Sequence, residues 1–316
     1  MSPEMPVSTS PPQRFIGLDI HKYYLVAVAV DGELNQVFGP KRVALADMEA
    51  WMSQTLTSQD ALVIEMTTNT WQVYDELLPH VHSVTVVHPP HVKLITRAQV
   101  MTDRIAALNL ARLLAKGLLT GIWVPPQEVR DLRALIAQRS KMVRLSIQAR
   151  NRLHALLHSR HILPPPGSLF APEHREWWRS LPLSLAGRVQ IENDLETLEF
   201  AEKQIARLEA ALAALAAQDQ RVGLLAQLPG FGLITIITFL AAVGQITRFP
   251  SAKHLVGYSG LNARIHDSGL TTRTGRITKA GRRDLRFVLV EAAQTAANTH
   301  PFWKAELARL EPRLGR

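Results

Sequence analysis

The stretch "FIGLDIHKYYLVAVAVDGEL", Phe15 to Leu34, reads as two apolar, β-branched strands, yet it carries Asp19 inside the first of them. A second apolar run, "ALVIEM" (Ala61–Met66), holds Glu65 in the same way. An unpaired carboxylate in apolar surroundings is costly, so it shifts its pKa, finds a partner or binds a metal. Any fold of this chain must therefore place both acids where something relieves them. Two acids embedded in two strands point to one shared site.

The surrounding pattern supplies an architecture. Phe15–His21 and Tyr23–Val30 are followed by the turn signal Asp31-Gly32, and Leu34–Val43 supplies a third strand. Ala44–Leu56 has helical spacing, and Ala61–Met66 is continuous enough for a strand covered on both faces. "TWQVYDELLPHV" reads as helix, "SVTVVHPP" as strand, and "TDRIAALNLARLLAKGLL" as a helix with Thr102 as N-cap and Gly117 near its end. Three strands, helix, strand, helix, strand, helix is the ribonuclease H-like layout, in which the first and fourth strands lie side by side. Asp103, in the first turn of the last helix, adds a third acid to Asp19 and Glu65. The residue three positions on shares its helix face, and it is Ala106; no further acid occurs before Glu128.

Clustered carboxylates are what two-metal phosphodiester chemistry needs, to hold Mg²⁺ ions on either side of a scissile phosphate. Each acid also has a plainer reading: Asp19 paired with His21 or Lys22, Glu65 bonded by Thr67 and Thr68, Asp103 helping to cap its helix. His80, His82, His88 and His91 do not match a helix-borne zinc motif and read as surface or satisfied histidines.

The 316 residues accommodate two or three domains. There is no cysteine, which excludes disulfides and thiolate chemistry and fits a reducing cytoplasm. Residues 1–14 are rich in Pro and Ser without an apolar h-region, and are expected to be a flexible tail rather than a signal peptide. Leu224–Gly244 is apolar, but Gln227, Pro229, Gly230 and Gly232 leave too short a run to span a bilayer, so a buried helix and no membrane partner are expected. The net charge of +9 favours a polyanionic partner. Gln127–Arg160 carries eight Lys/Arg against Glu128 and Asp131, and Arg264–Arg286 seven against Asp267 and Asp284. Ile191–Asp219 reverses the sign with seven acids against Lys203 and Arg207.

Pro125–Arg160 reads as a basic helix, and His161–His174, with four prolines, as a linker. Leu198, Ala201, Ile205, Leu208, Leu212 and Leu215 follow a 3-4 alternation, fitting either a coiled-coil element, with 127–160 as an antiparallel partner, or an amphipathic helix packed on its own domain. "LPGFG" resembles the turn of a helix-hairpin-helix, in which Gly230 and Gly232 would hold a phosphate through backbone amides. Beyond it lies "GYSGLNARIHDSGLTTRTGRITKAGRRDLRFVLVEAA". Ser268 is there followed by Arg273, Arg276, Lys279, Arg282, Arg283 and Arg286, cations able to stabilise charge at a phosphate under attack. His266 and Asp267 are the only obvious bases nearby; Ser259, in "GYSGL", is a rival serine without the spacing of a hydrolase elbow.

"GLDIHK", "VIEMTTNTW", "TDRIAA", "LPGFG", "LVGYSGLNARIHDSG" and "GRITKAGRRDLR" occur in the order seen in one family. The chain resembles the DEDD transposases of bacterial insertion sequences, the IS110 and Piv-invertase group of bridge-RNA-guided recombinases, from about Phe15 to Phe302. The resemblance implies a RuvC-like (ribonuclease H-like) domain over 15–125, a basic helix, linker and coiled coil over 126–220, and a mainly α-helical transposase domain over 221–316. It implies that Ser268 forms a covalent link to DNA, and that Asp19, Glu65 and Asp103 are three of four acids holding Mg²⁺, the fourth position being Ala106. It further implies donor and target DNA and a guide RNA as partners, action at the nucleoid in the cytoplasm, and a homo-oligomer, dimer or tetramer, in which protomers share composite sites. Ala106 leaves two other readings open: a RuvC-like metal-dependent nuclease such as a junction resolvase, and a non-catalytic nucleic-acid-binding derivative of a transposase.

Overall fold

The computed structural model describes residues 11–95, 102–268 and 271–314; residues 1–10 of the expected tail and Gly269 lie outside them. The chain divides into two units, residues 11–124 and 125–314.

The first unit is built on a five-stranded sheet. β1 (Arg14–Ile20), β2 (Tyr24–Val30) and β3 (Gln36–Ala44) form an antiparallel meander. α1 (Met48–Thr55) leads to β4 (Asp60–Glu65), and α2 (Thr70–Leu77) to β5 (Ser83–Val87). α3 (Pro89–Ile95), begun by residues expected to end a strand, precedes α4 (Asp103–Ala115). The sheet order is β3-β2-β1-β4-β5, with β4 parallel to both β1 and β5. This is the adjacency of first and fourth strands that the ribonuclease H-like layout requires. Arg14 pins one end of the β1–β4 pair, donating from Nε and Nη2 to the two oxygens of buried Asp60, both at 2.7 Å.

Both faces of the central strands are covered, which is why their sequences are continuously apolar. Ile16, Leu18, Leu62 and Ile64 pack with Trp51, Met52, Val73 and Leu77 of α1 and α2. On the opposite face, Val63 and Val87 meet Val92 and Leu110, and Val26 and Val28 meet Ala107. Side chains alternate along a strand, so Gly17 and Asp19 of β1 share the face that α4 covers, as do Val63 and Glu65 of β4. Gly17 allows α4 to lie against the strand backbone: a Cβ there would fall within 2.7 Å of the Ala111 nitrogen and collide with the Ala107 carbonyl.

The second unit is helical apart from one hairpin. α5 (Gln127–Ser159) and α7 (Leu185–Ala216) run antiparallel, as their ion pairs show: Arg139–Glu209, Arg150–Glu202 and Arg152–Asp194. α6 (Arg175–Ser180) lies in the connection, and its Trp178 joins Leu153, Leu157, Leu181 and Ile191 in a core at that end. α8 (Gln220–Leu225) and α9 (Leu233–Val243) follow; Ile237 and Ala241 of α9 pack with Ile136, Leu212 and Ala216, so α9 shares a core with α5 and α7. Among the described residues, no helix is long and apolar enough to cross a membrane. α10 (Ala252–Ser259) leads to a hairpin, β6 (Ala263–Ser268) with β7 (Thr271–Ile277), and the chain continues as α11 (Arg283–Thr299) and α12 (Pro301–Leu314).

Candidate active site

Asp19 lies one residue beyond the Leu18–Ile64 pairing of β1 and β4, so it is level with Glu65 at the carboxyl ends of two neighbouring strands. α4 brings the third acid. Its N-cap is Thr102, whose hydroxyl accepts from the Ile105 N–H, so Asp103 in the first turn is not needed as the cap. Because α4 rests on Gly17, that first turn comes down beside Asp19.

The arrangement that results is a triad of Asp19, His21 and Asp103, whose ligand-capable atoms all lie within 4.8 Å of one another. His21 Nε2 stands 3.4 Å from Asp19 Oδ2 and 3.3 Å from Asp103 Oδ2. It is sheltered from solvent between the two carboxylates. Tyr24 supports both neighbours: its ring stacks on His21 at 4.6 Å, and its hydroxyl donates to Asp103 Oδ2 at 3.0 Å. Arg42 covers the Tyr24 ring at 3.7 Å.

Burial raises the Asp19 carboxyl above its ordinary pKa; His21 draws it back and the Asp103 charge raises it again. The hydrogen bond to Asp103 is the main cause holding the Tyr24 phenol above its own ordinary value, which keeps it a donor. A cation placed among these groups would relieve both the burial and the repulsion at Asp19. The donor set, two carboxylates and an imidazole, therefore fits a divalent metal. Glu65 ends the adjacent strand on the same face, but its carboxylate is outside the triad. Its backbone carbonyl accepts from the Thr70 hydroxyl, where the sequence had suggested Thr67 and Thr68 as partners of the side chain. Ala106 is half-buried on α4 and contributes no ligand.

Sequence reasoning named His21 only as a pairing partner for Asp19 and passed over Tyr24. The signal for His21 was its place just beyond the end of a strand, two residues from an embedded acid. Nothing local marks Tyr24, whose partner Asp103 is 79 positions away.

The second unit carries the serine. Ser268 is the last residue of β6 and is exposed. The hairpin register pairs Ser268 with Thr271 and His266 with Arg273. Alternation puts His266 on the face of Ser268, directly opposed residues share a face, and Arg273 therefore joins them while Asp267 points away. Ser259, the rival, is buried and its hydroxyl donates to the Val256 carbonyl at 2.7 Å.

The six cations divide in two. Arg273, Arg276, Lys279 and Arg283 are exposed. Arg282 is paired with Asp284, and Arg286 donates to the Ser259 carbonyl at 3.0 Å and the Lys279 carbonyl at 3.3 Å, so both serve the fold. The glycines divide too. Gly230 (φ +82°) has its outer face filled by the Ala292 backbone of α11, whereas Gly232, the N-cap of α9, faces open space. Glu291 lines the same groove, an unfavourable neighbour for a phosphate.

An aspartate at the carboxyl end of β1 and another in the first turn of the covering helix, with a histidine between them, make an α/β site whose donors fit a divalent cation. Residues 16–162 match a DEDD transposase model of the IS110 group, and residues 222–308 match the model described as the transposase IS116/IS110/IS902 family. The chain belongs to the IS110 family of transposases. It is 26% identical over 315 residues to the pilin gene-inverting protein of Moraxella bovis, covering 95% of this chain and 88% of that one. It is 28% identical over 307 residues to the y4qE protein of Sinorhizobium fredii (95% and 76% covered), and 23% identical over 290 residues to the transposase for insertion sequence element IS1111A of Coxiella burnetii (89% and 77%).

Proposed function

We propose that this chain is the recombinase of an insertion sequence, cutting and rejoining DNA through a covalent link to Ser268, with a divalent ion at Asp19 and Asp103 and a guide RNA selecting donor and target. The observation that carries the reading is that the two family-matched segments, 16–162 and 222–308, each contain one set of reactive side chains. The first holds a carboxylate cluster; the second holds an exposed serine with cations beside it.

In this reading the Ser268 oxygen bonds to phosphorus as the bond from phosphorus to one deoxyribose oxygen breaks. The serine proton passes to His266, which shares its face, and the departing oxygen takes up a proton. Arg273 and Arg276 offset charge on the phosphoryl oxygens. Asp19 and Asp103, with Glu65 on the neighbouring strand, would hold the metal, Mg²⁺ in the family, which supplies Lewis-acid polarisation of a phosphate or an activated water. The two chemistries cooperate in a homo-oligomer. Gly232 and the exposed cations hold the DNA backbone without reading its sequence.

Ala106 favours a second reading, in which a ligand has been lost and binding survives without cleavage. One experiment separates the readings. The full chain, its Ala106→Asp variant and Ser268→Ala are each incubated with guide RNA, labelled donor and target DNA, and Mg²⁺ or Mn²⁺, then denatured. A protein–DNA adduct that disappears in Ser268→Ala is expected. Cleavage that persists in Ser268→Ala without an adduct identifies a metal-only nuclease. Tight binding with no adduct even in Ala106→Asp identifies a non-catalytic derivative.

A further inference from the structure

We infer that the His21 imidazole is itself a metal ligand, so that Asp19, His21 and Asp103 form an oxygen–nitrogen–oxygen site selecting a divalent first-row transition-metal ion over Mg²⁺. The inference rests on the metal-dependent function proposed above and names the ion and ligands of that site.

Three observations carry it. The first is spacing. Ligand atoms at adjacent corners of an ion with bonds of about 2.0–2.2 Å lie roughly 3.0–3.5 Å apart, and His21 Nε2 meets both carboxylates within that range, at 3.4 and 3.3 Å. The second is orientation. Nε2 is closed off from solvent and lies between two anionic oxygens, one from β1 and one from α4, so it faces the same point as both carboxylates. The third is support. The ring is stacked on Tyr24, Tyr24 bonds Asp103 through its hydroxyl, and Arg42 packs over the Tyr24 ring. Partners that fix the ring and the carboxylate together are what a ligand set needs to keep its geometry.

The chemistry then follows from the donor atoms. Mg²⁺ is a hard ion that prefers oxygen and keeps several of its waters, whereas imidazole nitrogen suits the transition metals. α4 presents Ala106, not an acid, one turn from Asp103, so nitrogen makes up a larger share of the available donors than in a set with an acid there.

The test uses the full chain, stripped of metal with a chelator, and Mn²⁺ as the probe. Pulsed electron paramagnetic resonance should show a nitrogen coupled to bound Mn²⁺, absent in His21→Gln. Calorimetry should show Mn²⁺ binding roughly tenfold or more weaker in His21→Gln, with Mg²⁺ binding changed much less. His21→Asp, an all-oxygen set, should shift preference back toward Mg²⁺. The nitrogen signal of the unsubstituted chain stands without any variant having to fold. Mn²⁺ bound with no nitrogen coupling, lost in Asp19→Asn, overturns the inference and leaves the carboxylate metal site intact. No Mn²⁺ or Mg²⁺ binding to the unsubstituted chain overturns both the inference and the metal-dependent function.

Discussion

At the scale of single residues, the site depends on a position with no side chain. Gly17→Ala would force α4 away from β1, because the new methyl collides with backbone atoms of Ala107 and Ala111 that cannot rotate aside. Urea unfolding should show a loss of about 1–3 kcal/mol, and divalent-ion affinity should fall with it, since Asp103 travels with the helix. Gly32→Ala, where an added Cβ meets nothing within 4 Å, should leave both unchanged and is the control. Asp284 gives a pH-dependent counterpart in the second unit. Burial works to raise its pKa, but the hydrogen bond and charge of Arg282 outweigh burial and hold the carboxyl below its ordinary value. A depressed carboxyl contributes stability above its unfolded pKa that is lost as pH falls through the native one. Melting temperature should therefore drop more steeply below about pH 4 in the parent than in Asp284→Asn.

At the scale of elements, the α5–α7 pair divides its stability unevenly between core and surface. Leu153 and Leu198 are almost fully buried, and truncating either to Ala should cost about 2–5 kcal/mol in chemical denaturation. Arg150 and Glu202 are close, but their side chains are 45% and 47% exposed, so a double-mutant cycle should return a coupling below about 1 kcal/mol. These elements also show where sequence reading succeeds. β1, β4 and α4 were legible because burial on both faces demands unbroken apolar runs and because Thr102 caps its helix in the ordinary way. In α7 the heptad stripe is real at Leu198, Ala201 and Leu212, yet Leu215 is largely exposed: periodicity marks a face without saying what covers it. β6 and β7 left no trace. Their described side chains are exposed, so no alternation of buried apolar and exposed polar residues existed to be read. His21 was visible but ambiguous, since an imidazole beside an aspartate looks alike in sequence whether it pairs or ligates, and its second neighbour, Asp103, is delivered by the packing of α4, beyond the reach of local sequence.

At the scale of the whole molecule, the basic charge does two jobs that composition cannot separate. Arg282 and Arg286 hold the second unit together, whereas Arg273, Arg276 and Arg283 are exposed. If the exposed ones meet phosphates, each substitution by Ala should reduce the slope of log affinity against log salt by about 0.9, with the melting temperature unmoved. Arg286→Ala should do the reverse, lowering the melting temperature before it alters that slope. The hairpin that carries Ser268 extends the same division. A two-stranded ribbon with neither face covered contributes little to the cooperative unfolding of the domain behind it. Calorimetry will thus be nearly blind to the segment that carries Ser268, the nucleophile in the proposed function. Changes along residues 263–277 can accumulate in a lineage at little penalty in folding, so that selection sees them chiefly through activity.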